Sequence, residues 1–202
     1  MPRDKKASHA RVIEASRIEF REYGFHDASM RRIGQRAGMT AAGLYRHFSS
    51  KEAMFDALVG PAVEDLQHWL DEHTARAHAA LLSGGEALWD ESEIDMMRDL
   101  IYPRMEEYRL LLTCSAGSQY EDFLHDLVSG QQKKMEPALA LLRERGYPVR
   151  PIRSSELHML LTAYCTALFE PVIHGYTLEE ALRSLDAVEA FFLPGWKQLL
   201  GF

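Results

Sequence analysis

The chain has 202 residues, 47% of them hydrophobic and 26% charged, which excludes a disordered chain and fits one or two globular domains with a buried core. Its net charge of -7 is unevenly distributed: residues 1–51 carry 11 Lys or Arg against 5 Asp or Glu, whereas the remainder carries 12 against 25. The acidic remainder excludes nonspecific binding of the whole molecule to a polyanion, and the basic head predicts that one end alone meets such a partner.

Several other classes of protein are disfavoured by motifs that the sequence lacks. Cys114 and Cys165 are too far apart for a CxxC or zinc-ligand pattern, and the histidines form no HExxH. There is no GxSxG and no glycine-rich phosphate loop, so we expect no enzymatic activity, no cofactor and no metal. The longest uncharged apolar stretch, 157–169, is short of the roughly 20 residues that cross a bilayer. With no apolar run after the basic N-terminus, the sequence predicts a cytoplasmic location without membrane contact.

Helical patterns dominate from one end of the chain to the other, so the predicted fold class is all-α. The first helix is predicted over residues 8–23, where Val12 or Ile13, Ser16 and Phe20 share one stripe and Gly24 ends it. Basic residues at positions 3, 5 and 6 are expected to form a mobile arm that touches a phosphate, the minor groove or nothing.

A helix-turn-helix is predicted next. Ser29 caps a short second helix, Gly38 supplies a left-handed turn, and Thr40 caps a third helix. Leu44 and Phe48, four residues apart, form its inward pair.

Five longer helical regions follow. The fourth helix begins at Ser49 or Ser50, and Gly60-Pro61 is expected to kink or break it because proline lacks an amide donor. Further helices are predicted over about 86–113, 118–146, 154–174 and 177–192. Pro194-Gly195 either ends the last helix or bends it.

The run SMRRIGQRAGMTAAGLYRHFSSKEAMFDAL (29–58), with EYGF at the end of the first helix, resembles the DNA-binding segment of the TetR/AcrR family of bacterial transcriptional regulators. The resemblance covers about 50 N-terminal residues. It implies a three-helix helix-turn-helix DNA-binding domain over 1–51. It also implies a helical ligand-binding and dimerisation domain over 52–202.

The resemblance assigns DNA contacts residue by residue. Positions matching Tyr45, His47 and Lys51 bind the DNA backbone in the family, and those matching Arg31, Thr40, Ala41, Ala42 and Gly43 face bases or adjacent phosphates. Since alanine and glycine side chains cannot donate hydrogen bonds, base reading is expected to depend on Arg31, Thr40 and Arg46. An ordinary solvated helix face remains an alternative reading for the arginines.

A single short helix makes few base contacts, so a homodimer on a palindromic operator is expected. By resemblance, the last two long helices of each subunit form a four-helix bundle. Apolar residues with suitable spacing are Leu157, Leu161, Tyr164, Leu168, Leu182, Leu185, Val188 and Phe192. These residues could instead face their own core.

Aromatic and methionine side chains in the central region could line an adaptable pocket for a small-molecule effector of unknown identity. The candidates are Met97, Tyr102, Met105, Tyr108, Tyr120, Phe123, Met159 and Phe169, and each could equally belong to the core. The predicted function is a ligand-responsive regulator, most simply a repressor that its effector releases from DNA. The alternative is a protein of similar fold that has lost operator binding and acts as a ligand-dependent protein partner, which the plain Ala41-Ala42-Gly43 surface keeps open.

Overall fold

A computed structural model describes residues 2–82 and 92–200, and within these ranges the chain contains helices and no strands. The predicted all-α class is confirmed. The helices are α1 (Pro2–Asp27), α2 (Met30–Arg36), α3 (Ala41–Tyr45), α4 (Lys51–Leu82), α5 (Ser92–Asp95), α6 (Met105–Thr113), α7 (Phe123–Glu144), α8 (Ser154–Ile173) and α9 (Leu178–Leu200). A π-helical segment (Met96–Ile101) and a 3-10 turn (Tyr102–Arg104) join α5 to α6. None of the helices in the two ranges has both the length and the apolar character that a bilayer crossing requires.

Helix α1 is longer than the sequence predicted. It begins at Pro2, a residue well suited to the first helical turn, so the expected mobile arm is wrong and its backbone is helical. Gly24 leaves helical geometry with φ 69°, which confirms its predicted role as the end of the regular helix. Val12, Ser16 and Phe20 are fully buried, as their spacing predicted.

Two helices continue through prolines at which an interruption was expected. Helix α4 runs through Pro61 and α9 runs through Pro194, so a break in α4 and an end of α9 near residue 192 are wrong, while a kink at Pro61 and a bend at Pro194 stay predictions. Proline removes the amide that would bond the carbonyl four residues earlier. Those carbonyls belong to Ala57 and Ala190, and because both residues are exposed, water can replace the missing donor.

The central helices differ from the predicted ranges in their starts. Residues 83–91 lie outside the described part of the chain, so the predicted helix start at about 86 is not covered. Helix α7 begins at Phe123 rather than at 118, because the chain turns through Gly117, where φ is 85°. The predicted helix over 154–174 agrees closely with α8.

Contacts between Cα atoms divide the chain into two compact units. The first contains residues up to 65 together with 104–121, and the second contains 66–103 and 122–202. The predicted functional boundary after residue 51 falls inside the first unit, at the start of α4, and it stays a prediction.

The first unit is packed around an aromatic cluster of Phe20, Phe25 and Phe55, whose ring centroids lie 5.0 to 5.9 Å apart. The segment 104–121 is fastened to α1 by two ion pairs, Arg17 with Glu107 at 3.1 Å and Arg21 with Glu106 at 3.4 Å. The backbone amide of Phe25 also donates to the carbonyl of Cys114 at 2.7 Å. Tyr120 packs on Phe55 from the same segment, at 6.2 Å between ring centroids.

The second unit has its own apolar core, formed where α7, α8 and α9 meet. The fully buried members of this core are Val128, Leu139, Leu142, Val149, Leu157, Leu161, Cys165 and Trp196. Burial on this scale excludes water from the facing sides of the three helices and stabilises their packing.

Candidate nucleic-acid interface and cavity

The turn between α2 and α3 depends on a glycine and a helix cap that the sequence predicted. Gly38 has φ 66°, and the following amide of Met39 donates to the carbonyl of Gly34 at 2.9 Å. The hydroxyl of Thr40 accepts from the amide of Gly43 at 3.2 Å and so caps α3, as predicted. Leu44 is completely buried and Phe48 is 8% exposed, which confirms them as the inward pair of the short helix.

Ser29 does not cap α2 with its side chain, which corrects the sequence-based prediction. It occupies the N-cap position, but its backbone amide donates to Oε1 of Glu19 at 2.9 Å. A carboxylate from α1 thus satisfies a donor at the N-terminus of α2, where negative charge is favourable.

Glu19 is the centre of a buried charge cluster that the sequence analysis missed. Its carboxylate is completely buried and is 2.5 Å from Nε of Arg32 and 3.5 Å from Nε of Arg36. Arg36 also pairs with Glu22 on the exposed side. Because a buried carboxylate needs compensating charge, these contacts fix α2 against α1. The available signal was an acidic residue on the same face of α1 as Ser16 and Phe20.

The outward surface of α3 carries the residues for which DNA contact was predicted. Thr40, Ala41, Ala42 and Arg46 are exposed, and 54% of Tyr45 is exposed. Gly43 and His47 are half-buried, and Arg31 is exposed in the first turn of α2.

The arginines of the head fall into two groups within the described chain. Four arginines of the head form ion pairs with carboxylates: Arg17, Arg21, Arg32 and Arg36. Arg31 and Arg46 do not belong to that group, so their guanidinium groups are available to an external anion. The charge of the head is therefore smaller at its surface than its composition suggests.

Gly43 has an intramolecular explanation. A Cβ atom at this position would lie 3.3 Å from Oγ1 of Thr40, the oxygen that caps the helix. A side chain at this position would therefore crowd the Thr40 hydroxyl that caps α3. Glycine here also leaves room for a ligand to approach the backbone closely.

Lys51 is engaged within the protein. Its Nζ donates to the carbonyl of His26 at 2.9 Å and to that of Ala28 at 3.4 Å. The ammonium also lies 4.5 Å from the centroid of the Phe25 ring. Lys51 thus connects the end of α1 to the first turn of α4, and its predicted contact with DNA backbone stays a prediction.

A cavity of about 580 Å³ lies within the second unit. Its wall is formed by α4, α7 and α8, with further residues from the π-helical segment and α9. The residues that give the wall its character are Trp69, His73, Met96, Met135, Tyr164, Cys165 and Trp196. The rings of Trp69 and His73 are stacked, with centroids 5.1 Å apart and 5° between their planes. Such a wall suits an aromatic or apolar small molecule.

The polar groups of the wall include a largely buried phenol and a buried thiol. The hydroxyl of Tyr164 donates to Glu93 at 2.6 Å, and burial together with the charge of Glu93 raises the pKa of this phenol. Burial raises the pKa of the Cys165 thiol to about 11, so the thiol stays neutral near pH 7. Lys134 and Asp71 form an ion pair at the rim.

None of the eight predicted ligand-binding residues lies in the wall of this cavity. Tyr108 is fully buried in the first unit, where its hydroxyl donates to the carbonyl of Ala62 at 2.9 Å. Tyr120 bonds to Asp56, Tyr102 bonds to the carbonyl of Tyr176, and 61% of Met159 is exposed. The others, Met97, Met105, Phe123 and Phe169, are buried or half-buried outside the wall. The abundance of aromatic and methionine residues therefore indicated a core and did not locate the cavity.

The predicted dimer residues differ in their burial within a single chain. Leu157, Leu161, Leu168 and Leu185 are buried and Tyr164 lies in the cavity wall, and the role of these five in a dimer interface stays a prediction. Leu182, Val188 and Phe192 are half-buried. The last two helices instead expose other uncharged residues, namely Met159, Ala163, Ala187, Ala190, Phe191 and Pro194.

The geometry of the head, with a capped short helix held outward by two buried residues, defines a helix-turn-helix domain. Residues 12–58 match the family model for bacterial regulatory proteins of the tetR family. The head of this chain is therefore similar to the tetR family, which confirms the resemblance seen in the sequence.

Individual relatives align with this chain over different lengths. The HTH-type transcriptional regulator UidR of Escherichia coli K12 is 37% identical over 59 residues, which cover 29% of this chain and 30% of UidR. The chain therefore matches less than a third of the length of that relative. The HTH-type transcriptional repressor AcnR of Corynebacterium diphtheriae is 28% identical over 185 residues, covering 88% of this chain and 87% of AcnR. A solved structure described as a TetR-family regulator from Mesorhizobium loti covers 93% of this chain at 22% identity, with a TM-score of 0.38.

Proposed function

We propose that this protein is a DNA-binding transcriptional regulator that reads a palindromic operator as a homodimer and leaves it when a small molecule binds. One observation carries the proposal: α3 presents an exposed, uncharged surface between two uncommitted arginines while Leu44 and Phe48 fix its opposite side. A short helix of this kind can enter the major groove, and the flanking cations meet phosphates. Repression is the favoured direction of control, because AcnR, which aligns along most of this chain, is named as a repressor.

Thr40, Tyr45 and Arg46 supply donors beside α3, and Arg31 supplies one from α2. The methyl groups of Ala41 and Ala42 are exposed and can contact thymine methyl groups. His47 contributes a backbone contact. This assignment keeps Arg32 and Arg36 out of the interface, because both are committed to carboxylates.

Dimerisation is proposed through the exposed surfaces of α8 and α9. Phe191 is 77% exposed and Met159 is 61% exposed, which is unusual for large apolar side chains on a monomer. Small residues around them, such as Ala163 and Ala187, would allow the helices of two subunits to approach closely. A dimer places two copies of α3 at a fixed spacing, which a single head cannot provide.

The effector is proposed to occupy the cavity of the second unit, where Trp69 and Trp196 can stack on an aromatic or apolar body. Met96 and Met135 give the wall the flexibility to fit related molecules. Binding that favours one conformation of the dimer shifts the population away from the form that fits the operator.

The proposal is tested by DNA binding of an Ala42→Glu variant. This substitution places a carboxylate on the exposed surface of α3, so it should abolish binding to DNA upstream of the protein's own gene in a mobility-shift assay. Ala140→Glu is the matched control, because Ala140 is exposed on α7 and far from α3 in the sequence. Equal binding by both variants would reject α3 as the reading helix. Failure of the wild-type protein to bind any duplex at low salt would favour the ligand-dependent protein partner instead.

A further inference from the structure

Two histidines lie side by side at the edge of the proposed DNA surface. The ring of His9, on α1, is 5.8 Å from the ring of His47, which directly follows the C-terminal end of α3. His9 also stacks on Phe48 at 5.2 Å, with 28° between the two planes. Phe48 is itself 8% exposed and held in the core, so it provides a rigid platform for an imidazole that is exposed to solvent.

The charged residues nearest in sequence to the two histidines are cations. Lys6 lies one turn before His9 on α1, and Arg46 precedes His47 in the turn after α3. Lys51, at the start of α4, directs its ammonium to the carbonyls of His26 and Ala28. In the described chain the histidines that pair with carboxylates are His26, His68 and His174, so neither His9 nor His47 is neutralised in this way.

We propose that His9 and His47 together form a phosphate-binding pair that takes up protons when DNA binds. The inference rests on the proposed function, and it adds His9, a residue to which the sequence analysis assigned no contact. A protonated imidazole donates hydrogen bonds from both ring nitrogens, whereas the neutral ring donates from one. Two protonated rings with centroids 5.8 Å apart repel each other, and a phosphate between or beside them reverses that balance.

The sign of the pH dependence follows from this arrangement. DNA favours the protonated rings, so binding takes up protons and the affinity for any duplex rises as the pH falls through the range in which histidine titrates. Each ring that becomes charged neutralises one phosphate per head and adds about 0.9 to the slope of log affinity against log salt. The wild-type slope should therefore be steeper at about pH 6 than at about pH 8 by up to two units per head.

Variants at position 9 separate a phosphate contact from a packing role. His9→Phe keeps an aromatic ring on Phe48 and removes the charge, so the change in slope between the two pH values should fall by about one unit per head. His9→Lys places a permanent cation there, and at about pH 8 it should bind mixed-sequence duplex more tightly than wild type, with a steeper salt slope. His68→Gln, on the exposed side of α4, is the control and should behave as wild type.

The measurement is fluorescence anisotropy with a labelled mixed-sequence duplex at several salt concentrations, with thermal unfolding of each variant alongside. If His9→Phe keeps the full wild-type change in slope, His9 does not contact phosphate and the inference is overturned. The inference is equally overturned if wild type binds DNA with the same slope at both pH values. Absence of DNA binding at every pH, by wild type and His9→Lys alike, would instead reject the proposed function itself.

Discussion

The head and the second unit differ in what their interiors contain. In the head, the centre between α1 and α2 is occupied by a carboxylate and two guanidinium groups, and the aromatic rings of Phe20, Phe25 and Phe55 fill the adjoining space. In the second unit, α4, α7 and α8 enclose a cavity of about 580 Å³. A charge cluster has one good geometry and resists deformation, whereas an unfilled apolar space leaves its wall free to adjust. The core of the head is therefore the more rigid of the two, and the core of the second unit is the more adaptable.

The largest expected effect is at the charge cluster. Glu19→Gln removes the carboxylate charge that pairs with Arg32 and Arg36 and should lower the free energy of unfolding by about 2 kcal/mol. Glu22→Gln, on the exposed side of the same cluster, should cost less than about 1 kcal/mol because water already screens that pair. Urea denaturation of both variants tests the difference, and equal costs would mean that Glu19 does not rigidify the head.

The next largest effect concerns Cys165 at alkaline pH. Burial raises its pKa to about 11, above the value of about 8.5 expected in the unfolded chain. The unfolded thiol therefore loses its proton first, so this contribution to stability is complete below about pH 8.5 and is lost as the pH rises towards 11. Cys165→Ala should flatten the decline in unfolding free energy over that window. Cys114→Ala should leave the decline unchanged, and the same slope in both variants would contradict the burial argument.

A smaller effect is expected at the cap of α3. Thr40→Ala removes the hydroxyl that accepts from Gly43 and should destabilise the protein by about 1 kcal/mol. DNA affinity should fall by more than stability alone explains, because α3 becomes less well ordered. Thr162→Ala is a suitable control, since the Thr162 hydroxyl bonds a carbonyl inside α8. The idea fails if affinity for duplex DNA is unchanged while the stability falls.

The smallest change in stability is expected from filling the cavity. Ala138→Leu, in the wall contributed by α7, should alter the unfolding free energy by less than about 1 kcal/mol because the extra atoms enter empty space. It should nevertheless prevent small aromatic compounds from quenching the fluorescence of Trp69 and Trp196. Undiminished quenching in this variant would place the compounds elsewhere and sharpen the search for the effector site.

The head was readable from sequence because its structure depends on neighbours within a few residues. Gly24 and Gly38 adopt the positive φ that glycine favours, and Thr40 and Ser50 cap the helices that follow them. Glu19 escaped detection because its partners lie 13 and 17 positions further along the chain.

The second unit was harder to read for the same reason. Whether a leucine of α8 faces its own core or a second subunit depends on the packing of three helices, which a helical pattern alone does not encode. Pro61 and Pro194 illustrate a related limit: proline weakens a helix locally, but exposure of the affected carbonyl decides whether the helix continues. The position of the cavity depends on how the side chains of several helices pack together, so no individual residue in the sequence indicates it.

The fastening of 104–121 to α1 has a practical consequence for dissecting the protein. A fragment that stops at residue 65 would contain the whole helix-turn-helix yet would leave Arg17 and Arg21 without their acidic partners and the Phe25 amide without the Cys114 carbonyl. It would also uncover the side of Phe55 on which Tyr120 packs. The smallest self-sufficient reader of this chain is consequently discontinuous in sequence, and excising it requires a linker that brings α6 back to the side of α1.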